Sequence, residues 1–145
     1  MADAETNTFN FELVSPEEKL LSTPATMVVV PGEEGDFGVM PQHSALVSSI
    51  RPGVIEVHDN DDENEEPRRI FVAGGFADVT PDSLTVLAEE AVLVSDLNKD
   101  DLEQAIRNLE DDLNLVEGDI DKDRVQQKLI VTKAKLQAVT GELVL

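Results

Sequence analysis

His43-Ser44 is the one adjacent pair in this chain whose residue types suggest nucleophilic catalysis. A serine hydroxyl attacks only when a base lies within hydrogen-bond reach, itself oriented by a third group. Neighbours on an extended strand point to opposite faces, so these two side chains cannot form that dyad. The chain has no cysteine, which removes disulfides and every thiolate reaction and fits a reducing compartment.

The second place where chemistry could reside is His58–Glu66, H-D-N-D-D-E-N-E-E, with five acids among residues 61–66. A calcium loop of the helix–loop–helix kind needs glycine at its sixth position and glutamate at its twelfth. Counted from Asp59, those positions hold Asn64 and Ile70, so the pattern fails. The run reads instead as a solvated hairpin tip. Gly74-Gly75 lacks the following Gly-Lys-Ser/Thr and helix N-terminus of a phosphate loop. A bulge, or a close backbone approach between sheets, explains it better.

With catalysis set aside, the informative stretch is Gly35–Gly53, G-D-F-G-V-M-P-Q-H-S-A-L-V-S-S-I-R-P-G. Glycines 35, 38 and 53 and prolines 41 and 52 mark sharp turns around two apolar runs too short for stable helices. It reads as strand, corner, strand, corner, with loops presented at one end of a β-structure. Shaped loops without a catalytic set point to docking.

Charge narrows the partners. A formal net charge of −20 on 145 residues repels nucleic acid and anionic lipid, leaving basic or neutral proteins. The acidic N-terminus has no basic-then-apolar run, so no secretory signal is expected, and the most apolar windows are too short to span a bilayer.

The elements that position these loops follow from periodicity. Residues 1–7 are polar and expected to be flexible. Phe9, Phe11 and Leu13 alternate with polar neighbours, as in a half-buried strand. Further strands are predicted around Lys19–Leu21, Thr26–Val30, Val54–Val57, Arg69–Ala73, Phe76–Val79 and Ser83–Ala88, separated by turn residues. That spacing indicates an all-β sandwich or barrel, whose core the phenylalanines at 9, 11, 37, 71 and 76 should supply. Beyond Asp96 the period changes: Leu102, Ile106, Leu109, Leu113 and Val116 share one helix face, with Asn98 as its N-cap. After Gly118, Val125, Leu129, Thr132, Leu136 and Val139 repeat the spacing, giving an antiparallel αα-hairpin. Residues 98–117 carry seven acids against Lys99 and Arg107, net −5, and residues 121–142 are net +2, which favours the pairing weakly. So short a hairpin buries too little to be self-sufficient and should dock on something.

The blocks 35–53 and F-V-A-G-G-F-A-D-V (71–79), with L-T-V-L-A-E-E-A (84–91) following and a helical hairpin last, resemble the epsilon subunits of bacterial F-type ATP synthases, called delta in mitochondria. The resemblance runs from Phe9 to Gly141. It implies a ten-stranded β-sandwich over residues 8–94, docking on the gamma subunit and the c-ring, and a helical hairpin over 95–145. It further implies a non-catalytic place in the rotor stalk, without cofactor or metal, peripheral to the cytoplasmic face of the bacterial inner membrane. Asp36 and His43 are carried over as c-ring-side contacts, their loops lying close together.

In this family the helical arm can reach the alpha/beta catalytic head and inhibit ATP hydrolysis. In some members ATP holds it down through apolar-Asp-x-x-Arg-Ala. Here the corresponding segment is Leu97-Asn98-Lys99-Asp100-Asp101-Leu102, with Asn98 in place of the aspartate and Asp101 in place of the arginine. An acid facing a polyanion is repulsive, so no useful ATP binding is expected. The alternative function is a free-standing acidic β-sandwich adaptor, distinguished by whether the chain co-purifies with gamma in a one-to-one ratio.

Overall fold

The computed structural model describes residues 7–59 and 66–141. Most of the expected flexible N-terminus, the centre of the acidic 58–66 run and the last four residues lie outside the described residues. The chain divides into two compact units, Met1–Val92 and Leu93–Leu145.

The described residues up to Leu93 hold ten strands: β1 (Phe9–Val14), β2 (Lys19–Ala25), β3 (Met27–Gly32), β4 (Gly35–Val39), β5 (Leu46–Ile50), β6 (Gly53–His58), β7 (Arg68–Val72), β8 (Gly75–Thr80), β9 (Ser83–Ala88) and β10 (Ala91–Leu93). Their hydrogen-bonded order is β10-β7-β6-β3-β5-β8-β9-β1-β2, with β4 on the other side of β3. A single residue pair, Gly32 with Ile50, joins β3 to β5. The ladder therefore folds there into two five-stranded layers, β4-β3-β6-β7-β10 and β5-β8-β9-β1-β2. The arrangement is the expected β-sandwich, closed into one ladder along one edge.

Alternation builds the core. Phe9, Phe11 and Leu13 of β1, Val28 and Val30 of β3, Ile55 and Val57 of β6, Ala77 and Val79 of β8, and Leu84 and Val86 of β9 all belong to one buried cluster. Each strand contributes every second residue, because successive side chains leave a strand on opposite faces. β1 runs parallel to β9, whereas β8–β9, β5–β8, β3–β6 and β6–β7 are antiparallel. Between β2 and β3 the chain changes layer at Thr26, whose N–H and hydroxyl both donate to the His58 carbonyl, at 2.7 and 2.9 Å.

The five phenylalanines do not all join the core, contrary to expectation. Phe9 and Phe11 are core, and Phe37 packs against it half-buried. Phe71 is fully buried but outside that cluster, and Phe76 is 55% exposed. Parity is the reason: Ala77 and Val79 occupy the inward positions of β8, so Phe76 must leave on the outer face. Gly75 has φ +143°, and a Cβ there would fall 1.9 Å from the Leu87 carbonyl oxygen. The close approach is thus to the next strand of the same layer, not between layers.

In the second unit a short 3-10 turn, Val94–Asp96, precedes α1 (Lys99–Leu115) and α2 (Asp119–Thr140). Asn98 caps α1 as expected, its side chain accepting from the Asp101 N–H at 3.0 Å. Gly141, in the left-handed region at φ 75°, closes α2. Three residues connect the helices, which forces them antiparallel. Leu102 and Ile106 are the buried residues of α1, and Leu129 and Ala138 those of α2.

Candidate functional site

The loops of the sandwich gather at two ends, and register decides which belong together. β4 starts at Gly35, opposite Gly32, and finishes at Val39, opposite Val28. β5 begins at Leu46, opposite Val79, and finishes at Ile50, opposite Gly75. The β3–β4 turn and the β5–β6 corner therefore share one end, and the 40–45 loop lies at the other.

At the first end the β3–β4 hairpin is stitched to the β5–β6 corner. Glu33 N–H donates to the Ser49 carbonyl at 3.0 Å, and Arg51 N–H donates to the Pro31 carbonyl at 2.9 Å. Arg51 adds its guanidinium, donating to the Gly32 carbonyl and to the Asp36 carboxylate. Gly32 and Gly53 permit the close fit: a Cβ on Gly32 would meet the Gly35 carbonyl oxygen at 2.8 Å, and one on Gly53 the Pro31 side chain at 2.9 Å. The β1–β2, β7–β8 and β9–β10 turns fall at the same end by register. Exposed Glu17, Glu18, Glu33, Glu34, Asp36, Glu89 and Glu90 thus share one end with Arg51 and Lys19. Seven carboxylates against two cations leave this end net negative.

His43 sits elsewhere. Its loop is held by Gln42 N–H donating to the Pro81 carbonyl at 2.7 Å, by His43 N–H donating to the Met40 carbonyl at 3.2 Å, and by a 2.8 Å bond between His43 Nδ1 and the Ser44 carbonyl. Gln42 is the one described residue other than glycine with positive φ, at 70°. Four residue steps along β4, from Asp36 to Met40, at about 3.3 Å each separate this loop from the Asp36 corner by roughly 13 Å. Asp36 and His43, expected near one another, therefore stand at opposite ends of β4. The loop sequence could not reveal this, because the two positions are only seven residues apart. Only the straightness of the intervening strand separates them.

A surface that the sequence reading missed lies on the outer face of the β5-β8-β9-β1-β2 layer. Phe76 pairs with Leu87 across β8 and β9, and Leu87 pairs with Val14 on β1. Phe76 is 55% exposed and Leu87 52%, while Val47, 69% exposed, lies diagonally from Phe76. Together they form an apolar row on an otherwise polar face. The signal was present in sequence: outward parity in β8 and β9 falls on Phe76 and Leu87.

The segment compared with the ATP motif has another use here, since the Asn98 side chain is committed to capping α1. Asp59, at the base of the acidic run, pairs with Arg68 at 3.0 Å. No group of three or more His, Cys, Asp or Glu among the described residues is arranged to hold a metal ion. No helix there is long and apolar enough to cross a membrane.

Residues 8–94 match the family model described as "ATP synthase, Delta/Epsilon chain, beta-sandwich domain". The chain is 45% identical over 135 residues to the ATP synthase epsilon chain of Rhodospirillum centenum, covering 91% of this chain and 92% of that one. With the ATP synthase epsilon chain of Rhodospirillum rubrum it shares 44% identity over 134 residues, covering 92% and 98%. Its fold resembles a chain of the Euglena gracilis mitochondrial ATP synthase structure (OSCP/F1/c-ring), with TM-score 0.75, 20% identity and 88% and 79% coverage. It also resembles a chain of the Tetrahymena thermophila mitochondrial ATP synthase central stalk and c-ring, with TM-score 0.66, 12% identity and 91% and 96% coverage. The chain belongs to the ATP synthase delta/epsilon chain family.

Proposed function

We propose that this chain is a non-catalytic rotor subunit that couples the gamma subunit to the c-ring. One observation carries the reading: the sandwich bears two chemically different docking surfaces, an apolar row on one outer face and a carboxylate-crowded end. A rigid body with two unlike faces suits a part that passes torque between two neighbours. The apolar row, Phe76, Leu87 and Val47, takes gamma, because burying it yields about 25 cal/mol per Å² and is insensitive to salt. The acidic end takes the loops of the c-ring, with Asp36 as the contact on that side. His43, at the far end of β4, then points away from this partner. Residues 8–94 form the docking domain, and residues 95–145 are the arm that can reach the alpha/beta head and regulate hydrolysis. Its place is peripheral, on the cytoplasmic face of the bacterial inner membrane, held there by the complex. The names of its relatives, together with near full-length coverage, support this assignment.

The test is reconstitution with gamma and a c-ring from the same source. Phe76→Ser/Leu87→Ser should abolish association with gamma while leaving the far-UV circular dichroism unchanged. Glu33→Lys/Glu34→Lys should retain gamma and lose the c-ring. One-to-one association with gamma that survives the serine pair would refute the assignment of the apolar row. A chain that never joins gamma would favour the free-standing acidic adaptor.

A further inference from the structure

Among the described residues the two most exposed large apolar side chains are Leu115 and Ile120, at 78% and 79%. They flank one turn: Leu115 ends α1, Ile120 is the second residue of α2, and four residues lie between. Neither falls on the stripes the hairpin uses. Leu102 and Ile106 are the buried positions of α1, Leu129 and Ala138 those of α2. Burial inside the hairpin therefore does not account for leucine and isoleucine at these two positions.

The surroundings select the occupant. Residues 110–121 hold six exposed acids, Glu110, Asp111, Asp112, Glu117, Asp119 and Asp121, and no lysine or arginine. The last turn of α1 has no basic residue, so Asp111 and Asp112 add their charge to the negative end of the helix dipole. An open groove of roughly 470 Å³ beside the turn is lined by Leu113, Asp119, Lys122, Asp123 and Gln126. This potential repels nucleic acid, anionic lipid and a second copy of a chain with net charge −20. Two apolar anchors within a carboxylate rim match a helix that interleaves lysine or arginine with apolar residues.

We propose that the α1–α2 turn is a docking knob for a basic amphipathic helix of a partner protein, with Leu115 and Ile120 as its anchors. The knob is a property of the hairpin alone and holds whether or not the sandwich works in a rotor.

The full chain, labelled for NMR, is titrated with a synthetic helical peptide of leucine and lysine, and with a control of equal charge in which serine replaces leucine. Shifts centred on residues 110–121 are expected, with the control binding at least tenfold more weakly. Leu115→Ser/Ile120→Ser, which leaves the charge unchanged, should weaken the leucine–lysine peptide at least tenfold. If that pair loses helical signal, Leu115→Ala/Ile120→Ala, which keeps helix propensity, is read in its place. Shifts centred on the sheet face carrying Phe76, equal binding of the two peptides, unchanged binding of the variants, or no binding at low salt would each overturn the proposal.

Discussion

Arg51 grips Asp36 and the Gly32 carbonyl with the two terminal nitrogens of one guanidinium, both at 2.5 Å. Asp36 is therefore a paired but exposed carboxylate on a corner held from two directions. The two partners of Arg51 are unequal. The carboxylate is exposed to water, whereas the bond to the carbonyl is partly buried. Asp36→Ala should then cost under about 1 kcal/mol, as exposed ion pairs do. Arg51→Ala should cost about 1–2 kcal/mol, since it also strands a carbonyl. Urea unfolding followed by far-UV circular dichroism measures both, and equal costs would show that the carbonyl bond contributes nothing.

Gly75 and Gly35 separate steric overlap from backbone strain. Both have strongly positive φ, +143° and +136°, but a Cβ on Gly35 meets nothing within 4 Å, while one on Gly75 overlaps the Leu87 carbonyl. Gly35→Ala should cost about 1–3 kcal/mol from conformation alone. Gly75→Ala should exceed about 4 kcal/mol, because β8 and β9 must part. Thermal unfolding of the two variants would show the ordering, and similar melting temperatures would contradict it.

Gln42 stands where glycine would be at ease. A side chain in the left-handed region costs about 1–2 kcal/mol, partly offset by the entropy glycine loses on folding. Gln42→Gly should therefore stabilise the sandwich by about 0.5–1 kcal/mol, provided the 2.7 Å bond from its N–H to the Pro81 carbonyl persists. A lower urea midpoint for the variant would mean that the glutamine side chain contributes more than its backbone strain costs.

Asn98 allows the cap and the nucleotide to be tested together. Asn98→Ala should destabilise α1 by about 1 kcal/mol through loss of the bond from the Asp101 N–H. Calorimetric titration of the unaltered chain with ATP is expected to show no sub-millimolar affinity, because Asp100 and Asp101 face the same helix start. Heat of binding in the micromolar range would reverse that expectation.

Burial distinguishes phenylalanines that look alike in sequence. Phe11→Ala, in the fully buried core, should cost about 3–5 kcal/mol. Phe76→Ala, on the outer face, should change stability by under about 1 kcal/mol and act on association instead. Comparable losses in urea midpoint would place Phe76 inside the fold.

By itself the sequence determined what is local. Alternation at Phe9–Leu13, the four-three steps from Leu102 to Val116, the cap at Asn98 and the breaks at Gly118 and Gly141 are all readable, because each rests on residues within one or two turns of each other. The block 35–53 announced the family for the same reason, as a contiguous run of turn and strand residues. The tertiary structure decided what depends on pairing. It set Asp36 beside Arg51 and put His43 at the far end of β4. It turned Phe76 and Leu87 outward as one row, and it joined two layers through Gly32 and Ile50. Register between strands distant in sequence governs each of these, and shifting a ladder by one residue would exchange every inward side chain for its outward neighbour. Composition does not encode that choice. Packing of the inward set, Phe11 against Leu84 and their neighbours in one cluster, selects it.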